Sequence, residues 1–319
     1  MRFAVLSLLI GLCAFVGWPA DEVPAGVPGG SGAAAQATGN FVAIPGREQP
    51  VQFRLYTNAL PGAAHLFGTF DIEAYGNTLL WSPAGDGLQR WLATRSADDS
   101  LHSVLVNGRG PNLASTNAMT VIEQAAGPEW RYLALDETSA YRDRLDRFTR
   151  RILFVEPDLF VLCDHLKARE PIRFQMLLHP PAATRVDTNW ADLRLNLPEG
   201  GFRIATPGRK GKARSWSRVT STADEFFPGT VTMQLGPTNR LAELDVLTVF
   251  AVYPPGKRRE YVFKLLESNS AIGARIHRDG LPTLIAFKTD STVGTASLTG
   301  FRFTGPAGVS VFRPKPGSP

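Results

Sequence analysis

From Phe41 onward the chain is built of short segments in which apolar and polar residues alternate, separated by turn residues. Alternation of this kind predicts strands that bury one face. Residues 51–56 (Val-Gln-Phe-Arg-Leu-Tyr) are one such segment, and residues 70–75 (Phe-Asp-Ile-Glu-Ala-Tyr), closed by Gly76 and Asn77, are another. Residues 103–106 form a third, closed by Asn107 and Gly108. Residues 151–155 and 159–163 flank Glu156, Pro157 and Asp158, which predicts a hairpin. Further strands are predicted over 173–178, 193–197, 246–252, 261–265, 284–287 and 309–312.

Helices are hard to place among 24 prolines and 30 glycines, because both residues are unfavourable in helix interiors. Residues 136–150 have sparse apolar positions and run directly into a strand, so they are expected to form a loop with a helical turn. Many closely spaced strands imply an all-β fold, a large antiparallel two-sheet sandwich of supersandwich type. No internal repeat or boundary divides it, so one domain over residues 41–317 is expected.

The start of the chain changes the setting. After Met1 and Arg2, an apolar run extends to Trp18 and is followed by Pro19 and Ala20. That is the pattern of a signal peptide over residues 1–20, and the run falls short of the ~20 residues a spanning helix needs. The expected location is secreted or periplasmic, with no stable membrane span. Residues 21–40, rich in Gly, Ala and Pro, are expected to be a flexible tether. Removal of the leader would take Cys13 with it, leaving Cys163 within an apolar strand as a buried thiol.

A formal net charge of +5 permits attraction to an acidic partner without identifying one. Basic residues gather at Arg209, Lys210, Lys212 and Arg214, and again at Lys257, Arg258 and Arg259, each beside Gly or Pro. Solvated loops explain both groups, and an anionic glycan is the sharper alternative for the first. Export argues against nucleic acid.

Three stretches carry a resemblance. The strongest runs from Trp130 to Pro181: an acidic-then-Tyr segment at 135–141, Arg150 before a strand, the Pro157-Asp158 turn, a strand ending in Asp164 and another ending in Leu178-His179. The second is residues 97–108, where His102 precedes an apolar strand and a Gly. The third runs from Pro61 through His65, Phe70 and Gly76 to Leu79, Leu80, Trp81, Ser82 and Pro83. In this order the chain resembles the C-terminal β-sandwich domain of the heparinase II/III-like polysaccharide lyases. It also departs from that pattern: Ser103 stands where the family carries Asn, a His-rich run before Phe70 is reduced to an out-of-register His65, and Ser82 replaces an acidic metal ligand.

The resemblance implies β-elimination on a uronic-acid-containing glycan: a base removes the proton beside the carboxylate, an acid protonates the leaving oxygen, and nearby groups offset the developing charge. In the family most of those groups come from an N-terminal helical toroid, which this chain is expected to lack. What the resemblance leaves is His65 as a catalytic base, and a vestigial zinc site on His102 and Asp86. Zinc there and no metal at all both stand as expectations, because no second His lies close in sequence. The other histidines have plainer readings: His179 as structural, His165 as hydrogen-bonded at a strand end, and His277, between Arg275 and Arg278, as solvated. Tyr141 reads as a buried hydroxyl bonded to backbone rather than an acid catalyst.

Two functions follow. One is an exported component of an acidic-polysaccharide lyase system, a carbon–oxygen lyase if a separate helical-domain chain or an unusual site completes it. The other is a non-catalytic carbohydrate-binding or assembly module that kept the sandwich and lost the chemistry.

Overall fold

The computed structural model describes residues 36–38, 41–45, 51–56, 69–75, 77–80, 102–112, 119–181, 185–186, 192–194, 201–205, 216–221, 231–253, 261–278, 281–289 and 294–311. The expected leader lies outside these residues, as does most of the expected tether. Strands β1 (Gln36–Thr38), β2 (Phe41–Pro45), β3 (Val51–Tyr56), β4 (Phe70–Ala74) and β5 (Asn77–Leu80) pair in chain order as an antiparallel meander. Then come β6 (Val104–Val106), β7 (Thr120–Gly127), β8 (Trp130–Asp136), a 3-10 turn at Thr138–Tyr141, β9 (Arg147–Val155), β10 (Leu159–Ile172) and β11 (Phe174–Leu178). The chain continues through β12 (Arg185–Val186), β13 (Asp192–Arg194), β14 (Gly201–Ala205), β15 (Trp216–Ser221), β16 (Thr232–Pro237) and β17 (Leu241–Tyr253). It ends with β18 (Tyr261–Glu267), β19 (Ala271–Arg278), β20 (Leu281–Lys288), β21 (Ala296–Leu298), β22 (Phe301–Phe303) and β23 (Ala307–Val311).

The fold is an all-β sandwich, and an eight-stranded sheet in the order β12-β13-β14-β17-β10-β9-β8-β7 forms its middle. One face of that sheet presents Ile152, Phe154, Phe160, Leu162 and Phe250 to the meander (Phe53, Phe70, Ile72) and to a four-stranded sheet β15-β16-β11-β6 (Val104, Phe174, Met233). Its other face presents Leu153, Val155, Val161, Cys163 and Val249 to a second four-stranded sheet, β18-β19-β20-β23 (Ile272, Ile276, Phe287). The two-sheet sandwich expected from alternation is therefore extended by a layer. A strand buried on both faces gains by carrying an apolar residue at every position. Residues 152–155 and 159–163 are such unbroken runs, and each side chain in them contributes on the order of 1.5–3 kcal/mol by leaving water.

The predicted hairpin forms: β9 and β10 pair in register from Val155↔Leu159 to Arg147↔Lys167. The segment expected to be a loop with a helical turn holds the 3-10 turn and the start of β9. At the end of β6, Asn107 (φ 52°) and Gly108 (φ 79°) both take left-handed conformations, and Val106 bridges Arg109 across them. Paired left-handed residues make the tight turn whose twist matches a hairpin, which is why Asn-Gly occupies it. Gly236 answers a different need. A Cβ there would lie 2.2 Å from the Phe174 carbonyl oxygen, so β11 and β16 approach this closely only because no side chain intervenes.

Candidate functional site: a sealed polar centre and an open cationic pocket

Strands β6 and β11 run antiparallel, with Val104 opposite Met176 and Val106 opposite Phe174. His102 and His179 therefore fall at one end of the pair, and Asn107 and Arg173 at the other.

At the first end, charged groups are gathered inside the protein. Arg150, 0% exposed, donates from Nε and Nη2 to the two oxygens of Asp164 at 2.8 and 2.9 Å. Its Nη1 reaches the His102 carbonyl oxygen at 3.4 Å and lies 3.7 Å from Glu137 Oε1. Its guanidinium also sits over the Phe70 and Phe148 rings, 5.7 and 5.3 Å from their centroids. Burial alone would lower the Arg150 pKa, but the Asp164 and Glu137 carboxylates outweigh it and the net shift is upward, so the guanidinium stays charged. Glu137 has the weaker hold on that cation. Burial pushes its carboxyl up to about 7, and the opposing pull of Arg150 does not cancel the shift.

His102 is 1% exposed and is held on three sides. Its backbone N–H donates to Thr69 Oγ1 at 3.1 Å, and its Nδ1 lies 2.6 Å from the Phe70 carbonyl oxygen. The His179 backbone N–H donates to Nε2 at 3.0 Å. A carbonyl only accepts and an amide N–H only donates, so Nδ1 carries the proton and the Nε2 lone pair is occupied. Burial first, and then neighbouring His179, keep the ring pKa well below its usual value, which agrees with this neutral tautomer. The His179 ring stacks on His102 at 5.4 Å, and its Nδ1 lies 3.3 Å from Thr232 Oγ1. Tyr141 closes the group: its hydroxyl donates to the Val104 carbonyl at 2.9 Å and accepts from the Val104 N–H at 3.3 Å. That is the backbone-bonded role expected of it.

In this arrangement His102 has no lone pair to offer a metal, so its packing does not fit the zinc-ligand expectation; the hydrogen bonds to Phe70 and His179 already use both ring nitrogens. Among the described residues no group of three or more His, Cys, Asp or Glu is placed to hold a metal ion. His65, Asp86, Arg209, Lys210, Lys212 and Arg214 lie outside the described residues. His165 donates or accepts at 2.7 Å with Asp245, His277 is exposed, and burial pushes the Cys163 thiol up to about 12.

At the second end of the strand pair lies a pocket of about 420 Å³ lined by Asn107, Gly108, Arg173, Gln175, Thr238 and Arg240. Among the described residues, two of its lining side chains are arginines and none is a carboxylate. No pattern along the chain marks this grouping, because register, not spacing, joins it.

Comparison with protein-family models finds no match, and neither does comparison with curated proteins. Solved structures match in shape. A mutant of the heparan sulfate lyase HepC from Pedobacter heparinus superposes with a TM-score of 0.59 at 11% identity, over 79% of this chain and 42% of that one. A heparinase III structure gives a TM-score of 0.58 at 13% identity, over 78% of this chain and 41% of that one.

The chain shares its fold with part of these lyases.

A further heparinase III structure, at a TM-score of 0.56 and 12% identity, repeats the result. The chain spans 41 to 42% of the length of these heparinase chains. At this identity the relationship is distant and concerns the fold.

Proposed function

We propose that this chain works in an acidic-polysaccharide lyase system, as an exported heparinase-like sandwich that engages a uronic-acid-containing glycan. The observation that carries the reading is the shared fold with structures of a heparan sulfate lyase and of heparinase III. The positive net charge and the basic run at Arg209, Lys210, Lys212 and Arg214 support it. A helical-domain chain would supply the proton-transfer groups, with His65 as this chain's own contribution. The test is incubation of the purified protein with heparin, heparan sulfate and alginate, with and without candidate helical partners, while following the ultraviolet absorbance of the unsaturated product. Rising absorbance in any arm supports the lyase system, and flat traces in every arm remove the enzymatic reading.

A second reading is favoured by one feature of the polar centre. His102, a histidine that matches the resemblance, is sealed and fully hydrogen-bonded, so it serves packing rather than proton transfer. On that reading the sandwich binds acidic glycan without cleaving it. Binding without product, weakened at moderate salt, would distinguish it, since exposed charge contacts are screened over ~10 Å at 0.1 M.

A further inference from the structure

The open pocket is assembled from three chain-distant segments that the sheet register brings together. The β6 turn supplies Asn107 and Gly108, the start of β11 supplies Arg173 and Gln175, and the link from β16 to β17 supplies Thr238 and Arg240. Two backbone-level bonds fix the first junction: the Asn107 N–H donates to the Arg173 carbonyl at 2.9 Å, and the Arg173 N–H donates to Asn107 Oδ1 at 3.0 Å. With Oδ1 committed, Asn107 Nδ2 is the end of that amide left for a ligand. Gln175 is 6% exposed, and its Nε2 donates to Gln234 Oε1 at 3.1 Å, so its amide is held in place. Gly236 lets β11 and β16 approach closely beside it.

Arg173 and Arg240 are both exposed, and among the described residues neither guanidinium has a hydrogen-bond or salt-bridge partner. This contrasts with Arg150, Arg144 and Arg131, whose guanidiniums are all bonded to protein oxygens. Two uncommitted guanidiniums beside fixed amides, in a concave space whose described lining holds no carboxylate, make a receptor for an oxyanion. The planar fork of Arg matches carboxylate and sulfate alike. The volume lies within the ~300–1,000 Å³ of small-molecule sites, which suits one sugar unit of a longer chain.

We infer that the pocket formed by Asn107, Gly108, Arg173, Gln175, Thr238 and Arg240 is an oxyanion subsite that holds a sulfate or carboxylate group of an acidic saccharide. It lies at the end of the β6–β11 pair away from His102, roughly 15 Å along the strands. The inference rests on the proposed engagement of acidic glycan and names where one acidic group is held.

The test measures binding of the full chain to a defined heparan sulfate oligosaccharide and to a size-matched alginate oligosaccharide at low salt. R173A and R240A each weaken binding about tenfold, the effect of losing one charge-assisted pair, and the double variant weakens it further. R240K, which keeps the charge without the fork, gives an intermediate loss. A K264A/R302A variant, which removes two exposed charges of β18 and β22 that do not line the pocket, serves as the comparison for general charge. A loss confined to the sulfated ligand assigns the site to sulfate, and a loss with both assigns it to carboxylate. Retained binding in the folded double variant, or a loss matched by K264A/R302A, overturns the subsite while leaving the proposed function intact. Absence of binding to either oligosaccharide by the unmodified chain overturns both.

Discussion

The two ends of the β6–β11 strand pair place arginines in opposite circumstances. Around His102, Arg150 is enclosed with two carboxylates, a carbonyl and two aromatic rings. Around Asn107, Arg173 and Arg240 face a pocket whose lining holds no acid among the described residues. A buried charge must be matched within the protein, since its desolvation is otherwise prohibitive. An exposed one carries no such demand and remains available to a ligand. The centre that the sequence resemblance singled out therefore joins layers of the fold, while the end it passed over has the chemistry of a binding site.

The sharpest way to break this comparison is at Arg150. R150A leaves Asp164 buried without its bidentate partner and Glu137 without its nearby cation. The expected loss of stability is about 3–5 kcal/mol, read from the denaturant midpoint. A loss below about 1 kcal/mol, typical of an exposed pair, would place the two ends in the same class.

Glu137 gives the next largest effect and the sign can be worked out. Its carboxyl is pushed by burial from an ordinary 4.5 up to about 7 in the folded protein. Between those values the folded state keeps a proton that the unfolded chain has released, so this contribution is complete below about pH 4.5 and is lost as pH rises through 7. The shift corresponds to on the order of 3 kcal/mol. Melting temperature followed against pH should fall across this window, and E137Q should flatten that fall. An unchanged pH profile in E137Q would assign the slope to another group.

A smaller effect is expected at Tyr141. Y141F removes the hydroxyl that accepts from and donates to Val104, stranding a buried carbonyl and a buried N–H beside it. The cost is about 1–3 kcal/mol in thermal or chemical unfolding, and a neutral result would show that water replaces the hydroxyl.

How much of this was legible beforehand follows the distance along the chain over which each feature is decided. The Glu156-Pro157-Asp158 hairpin, β3, and the Asn107-Gly108 turn are local, and their residues announce them. The backbone-bonded role of Tyr141 was readable because an amphipathic residue in an otherwise apolar setting needs a partner for its hydroxyl. The third layer was harder: an unbroken apolar run such as residues 159–163 signals burial on both faces, yet alternation elsewhere argued for one. β16 has no counterpart among the predicted strands, and Gly236 within it serves close approach of two strands. His102 drew attention as a ligand candidate because sequence shows that a histidine is present and not which carbonyl takes its proton. The oxyanion pocket had no sequence signature at all. Residues 107, 173 and 240 become neighbours only through the pairing of β6 with β11 and of β11 with β16.

The smallest stability change is expected at that pocket, and its smallness is what gives it meaning. Arg173 and Arg240 are exposed and, among the described residues, make no side-chain bond that folding depends on. R173A and R240A should therefore shift unfolding by no more than about 0.5 kcal/mol, as surface substitutions away from caps and networks do. A folded protein with unaltered stability and weakened glycan binding separates the two ends as the comparison requires. A large destabilisation would instead mean that these arginines hold the β6 turn against the β16–β17 link, and the pocket would then be a seam of the fold like the centre around Arg150.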